Sequence, residues 1–180
     1  LIELMIVVAI VGILSLLGAY GVRKYIANAK TSEARNSLGR MASGAVIAYE
    51  NEQMSENVLP AGDSTAVLRT LCNTASATVP SSATAIQGRK YQSNATEWSV
   101  DAAVSGTGFS CLHFTVDVPQ YYLYGYRASG TSSVGDSFTA SANGDLNGDG
   151  ILSTFSIVGA IGSDFVIHVA PNMQEVLPDE

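Results

Sequence analysis

Charge is scarce in this chain. Only 14% of its residues are Asp, Glu, Lys or Arg, and nine Lys and Arg stand against sixteen Asp and Glu. The net charge of −7 makes no basic stripe for a phosphate backbone, so no direct nucleic-acid binding is expected. An acidic exterior is instead suited to keeping the protein soluble. Histidine is rarer still, with only His113 and His168. Both fall in strand-like runs and read as packed or half-exposed residues. No Ser, His and Asp arrangement is legible from spacing and no phosphate loop is present, so no enzyme is expected. Cysteine is limited to Cys72 and Cys111. Neither belongs to a CxxC pair, and His113 beside Cys111 gives two ligands, too few for a zinc site.

What the chain does have is hydrocarbon at its start. Residues 1–20 read LIELMIVVAIVGILSLLGAY, with Glu3 the one charge. A helix needs about 20 apolar residues to cross a bilayer, and helix is the conformation that satisfies the backbone there. The run is long for a buried helix of a soluble core. It also continues in helical pattern through Arg23 and Lys24, where a signal peptide would have a cleavage site. A carboxylate at membrane depth costs about 2.5–3.5 kcal/mol on insertion scales and less near a helix end, and it usually has a partner. No cationic side chain lies within residues 1–19, so the partner of Glu3 is expected on another molecule or at a terminal amine. The alternative is a hydrated Glu3 at the interface.

Helical periodicity persists beyond the apolar run. Ala34, Leu38, Met41, Ala45 and Ala48 repeat at spacings of four and three and form one stripe. Lys30, Glu33, Arg40 and Glu50 are expected mostly away from it. One helix over residues 1–52 would be about 80 Å long.

The segment Leu1-Ile-Glu3-Leu-Met-Ile-Val-Val-Ala-Ile-Val-Gly12-Ile-Leu resembles the mature N-terminus of type IV pilins and of type II secretion pseudopilins. The resemblance implies an α+β pilin fold: a long N-terminal helix with a protruding apolar half, packed by its second half on an antiparallel β-sheet. It also implies a Phe-Thr or similar pair before Leu1, and a leader cut by a prepilin peptidase after a Gly. Glu3 would be the assembly residue, meeting the methylated N-terminal amine of a neighbouring subunit. The expected partners are further copies of the chain in a helical filament, the inner membrane before assembly, and the assembly machinery. The expected place is the inner membrane first and a surface filament afterwards, serving attachment, twitching motility or DNA uptake. A type II secretion pseudopilin, or a single-pass anchored periplasmic protein that never polymerises, are the alternatives. The family commonly has proline near the position of Tyr20. Here Gly12, Gly18 and Gly21 stand nearby and could weaken the helix by about 1 kcal/mol each, or allow close helix approach.

The remaining sequence divides by texture. Residues 1–25 are the apolar half-helix, 26–52 its amphipathic continuation, 53–96 a connection and 97–180 a sheet head. The connection is rich in Ser, Thr, Ala and Asn, with Pro60 and Pro80, and Ser64 could cap a short helix ending at Leu71. Strands are expected over 97–104, 109–116, 121–127, 137–142, 151–158 and 164–169, from β-branched and aromatic residues between turn signals. A loosely similar segment order, from Trp98 to Phe155, occurs in one branch of bacterial pilin-like proteins. The tail from Pro171 is expected to be exposed. In an exported setting Cys72 and Cys111 would form a disulfide, with two buried thiols the alternative. Asp145-Leu-Asn147-Gly-Asp149-Gly150-Ile151-Leu-Ser153 carries oxygen at the first, third and fifth positions, then Gly, then a backbone carbonyl. That resembles a calcium loop with ligands Asp145, Asn147, Asp149, Ile151 and Ser153. The twelfth position is Ser156 where a bidentate Glu is usual, so a further acid, Asp136 or Asp164, would be needed. A plain Asp-Gly turn explains the same residues. The sequon Asn94-Ala-Thr96 and the tyrosines are given no special role.

Overall fold

The computed structural model describes residues 2–51 and 69–178. Helix α1, Ile2–Glu50, is a single run of 49 residues, about 73 Å long. Hydroxyl residues inside it bond back to the preceding turn: Ser15 Oγ donates to the Val11 carbonyl, Thr31 Oγ1 to Asn28 and Ser32 Oγ to Ala29. These bonds keep polar side chains compatible with a helix interior.

The two halves of α1 meet different surroundings. Among the described residues its apolar start is covered by nothing, and Ile2 and Leu16 are 74% and 75% exposed. From Thr31 onward one stripe is buried, with Ala34, Leu38, Met41 and Ala45 fully covered and Ala48 partly covered. Glu33 departs from the expected pattern. It is half-buried, because its carboxylate turns toward the sheet and accepts the Tyr121 N–H and the Tyr124 hydroxyl.

Five antiparallel strands form the sheet: β1 Tyr122–Ala128, β2 Ser137–Gly144, β3 Ser153–Ile161, β4 Ile167–Val169 and β5 Gln174–Val176. β1 pairs β2 with Tyr124 opposite Ala142, and β2 pairs β3 with Ala142 opposite Phe155. β4 and β5 share the other edge of β3. β4 lies along Gly159–Ile161 and β5 along Thr154–Ser156. α1 lies against β2, β3 and β4. Tyr122, Tyr124 and Tyr126 are buried at alternate positions of β1, on one face. They join Trp98, Phe109, Phe114, Phe138 and Phe155 in the core. Trp98 meets Phe109 and Phe114 edge to face at 5.0 and 5.4 Å.

The connection seals the outer edge of β1. Val79 and Tyr124 exchange backbone hydrogen bonds of 3.0 and 2.8 Å, and Ala75 N–H donates to the Tyr126 carbonyl. An edge bonded in this way offers no free ladder to another sheet.

Two expected strands are absent. Within 97–104 and 109–116 the chain instead forms the short helices α2, Ala95–Trp98, and α3, Gly108–Cys111. For α2 the reason is a capping box: the Asn94 side chain accepts the Thr96 and Glu97 N–H groups, and Glu97 reaches back to the Asn94 N–H. His113 follows α3 with φ of 49° and is not in a strand. The proposed helix from Ser64 lies mostly outside the described residues. Leu71, its expected end, lies outside any helix and is buried, with its N–H bonded to the Thr131 carbonyl. β5 lies in the tail and is exposed, as expected, but it pairs with β3.

Candidate functional site

Three places carry the residues singled out in the sequence. The first is the bare half of α1. Glu3 is exposed in its first turn, among Ile2, Leu4, Met5 and Ile6, which are all exposed. The helix is long and apolar enough to cross a membrane, by length and composition. A signal sequence passes the same test. Leu1 lies outside the described residues.

The second place is a covalent staple. Cys72 and Cys111 are disulfide-bonded across 39 residues and tie the connection to α3. In the chain-entropy account such a closure stabilises by about 4 kcal/mol. Beside it, Asn73 N–H donates to the Gly106 carbonyl and Gly108 N–H to the Asn73 carbonyl.

The third is the loop joining β2 to β3. Asp145 is buried, and its two carboxylate oxygens accept the Gly148 and Gly150 N–H groups at 2.6 and 2.9 Å. Asn147 Oδ1 accepts the Asp149 N–H at 2.9 Å, and Asp149 Oδ1 accepts the Ile151 N–H at 2.7 Å. Ser153 is buried and its hydroxyl donates to the Gly144 carbonyl. Gly148 and Gly150 have φ of 83° and 89°, which side chains rarely adopt. Gly88 packs against this turn: its N–H donates to the Asp145 carbonyl, and a Cβ on it would stand 3.3 Å from Gly148 Cα.

These donors are hard oxygens, the kind calcium takes, and each carbonyl-type oxygen keeps a second lone pair after accepting one N–H. Neither of the acids considered as a further ligand reaches the loop. Asp136 precedes β2, about 30 Å along that strand from Asp145, and accepts the Ser132 and Ser133 N–H groups. Asp164 sits in the turn after β3, paired with His168 at 3.1 Å. Among the described residues no group of three or more His, Cys, Asp or Glu gathers.

One cluster has no counterpart in the sequence motifs. Tyr121 lies between Lys30 of α1 and Lys90 of the connection, with Glu33 accepting its N–H. Burial pushes the Glu33 carboxyl up, against the opposing pull of the Tyr121 N–H, the Tyr124 hydroxyl and the Lys90 charge. Lys30 and Glu33 are three apart on the helix, but nothing in the sequence tells that Lys90 joins them. No family model, curated protein or solved structure matches the chain.

Proposed function

We propose that the chain is a structural subunit of a type IV pilus-like filament, polymerising through its N-terminal helix. The observation that carries this reading is the contrast within α1, bare and apolar in its first half and stripe-packed on a sheet in its second. The bare half is stored in a bilayer and then withdrawn into a bundle of its own kind. That transfer exchanges one apolar setting for another, so close packing and the pairing of Glu3 with a neighbour's terminal amine supply the preference. Repeating one heterologous contact builds an open helical polymer. The heads form its acidic outer shell. In this reading the protein has no catalytic role, and Asp145, Asn147, Asp149, the Ile151 carbonyl and Ser153 would hold a Ca2+ that stiffens the β2–β3 loop.

The test is electron microscopy of material sheared from cells, with the protein in it identified. Fibres with this chain as bulk component are the expected result. A chain recovered only as membrane monomer would overturn the reading. A fibre confined to the periplasm would make it a type II secretion pseudopilin.

A further inference from the structure

The exposed aromatic and basic residues at the foot of the head follow an order. Tyr20 and Tyr25 are 68% and 74% exposed and bracket the exposed Lys24 at the end of the apolar run. Lys30 comes next on α1, and Lys90 reaches the same place from the connection. Their ammonium nitrogens stand 4.7 and 4.9 Å from the centre of one ring, that of Tyr121. The ring face attracts each cation and holds the two near one another. Among the described residues neither lysine makes an ion pair. Glu33, the carboxylate beside them, is committed to the Tyr121 N–H and the Tyr124 hydroxyl.

Hydrocarbon, then tyrosines, then cations is the layering that a bilayer surface selects. Amphipathic rings sit at headgroup level and ammoniums among or just outside the phosphates. The depths agree. Lys30 lies about 12 Å along the helix from Val22. The polar layer of a leaflet is about 5–8 Å thick. The paired ammoniums therefore stand within about one Debye length, 8–10 Å, of the phosphates.

We propose that Lys24, Lys30 and Lys90, with Tyr20, Tyr25 and Tyr121, form a collar that binds anionic phospholipid headgroups while the apolar half of α1 is in the bilayer. The inference rests on the reading of that half as membrane-inserted, and it names the lipid that the stored subunit prefers. The collar holds the foot of the head down. The chain's net negative charge keeps the rest of the head off the same surface. Withdrawal into a polymer must then break these contacts, so anionic lipid favours the stored form.

The experiment reconstitutes the full chain in phosphatidylcholine vesicles containing spin-labelled phosphatidylglycerol or spin-labelled phosphatidylcholine. It compares how strongly each label associates with the protein. Phosphatidylglycerol is expected to be preferred several-fold at low salt, and the preference to fall toward one at about 1 M salt, where the Debye length is about 3 Å. Lys30→Gln with Lys90→Gln is expected to bring the preference most of the way back toward one. Arg127→Gln removes a charge about 20 Å along β1 from Tyr121 and is expected to leave it unchanged. An inserted chain with no preference, or a preference that survives high salt or the double substitution, overturns the collar alone. A chain that enters neither membrane overturns both the collar and the membrane reading of α1.

Discussion

Gly44 and Gly39 both sit within α1, yet their surroundings differ. A Cβ on Gly44 would collide with the Leu112 carbonyl oxygen, where the turn after α3 presses on the helix. A Cβ on Gly39 would meet nothing within 4 Å. Alanine in a helix interior normally gains about 1 kcal/mol over glycine. Gly39→Ala is therefore expected to raise the melting temperature, and Gly44→Ala to lower it, when both are measured in the same detergent. Equal shifts would contradict the close approach. Glu33 gives a second residue-level prediction. Burial raises its folded pKa, so its contribution is full below the ordinary carboxylate range and is lost as pH rises through the raised value. Glu175 works the other way, because its bond to Arg35 holds its carboxyl down and its contribution is lost as pH falls. Melting curves between about pH 4 and 7 should show Glu33→Gln gaining on the parent protein as pH rises. A constant difference would remove the argument. Neither feature was legible in the chain. Gly44 reads like any helical glycine, and Glu33 was expected on the polar side of the stripe.

Elements were legible where a period lasts. The stripe Ala34, Leu38, Met41 and Ala45 spans three turns and is buried as its spacing indicates. Four expected strands, beginning near Tyr121, Ser137, Ile151 and Asp164, overlap β1, β2, β3 and β4. Between Glu97 and Val116 alternation misled, because runs of two or three aromatic and small residues fit a strand and a single helical turn equally. The Asn94–Glu97 capping box was the local signal that separates them. Asn94→Ala is expected to cost about 1 kcal/mol in a denaturant melt, and no change would mean that Trp98 packing alone positions α2. β5 is too short, and too polar in Gln174 and Glu175, to announce itself. For the β2–β3 loop, a chelator is expected to lower the melting temperature of the full chain if calcium is bound. Identical melts with calcium and with chelator would assign Asp145 to a self-contained turn.

At the scale of the whole molecule the prediction concerns assembly. Glu3→Leu removes the one charge from residues 1–20 and is expected to leave membrane insertion intact while sharply reducing sheared fibres. Normal fibre yield from this variant would refute the pairing. The exposed apolar half of α1 was legible because hydrophobic residues dominate residues 1–20. The Tyr121 cluster was not, because it joins residues ninety positions apart through the fold. α1 also runs from Ile2 to Glu50 without a break, so its bare and packed halves share one axis. The azimuth of the head is thereby geared to that of Glu3. Splicing a single alanine in just after Gly21 would turn one against the other by about 100°, re-aiming Glu3 relative to the sheet while leaving the packed stripe from Thr31 onward on the same face.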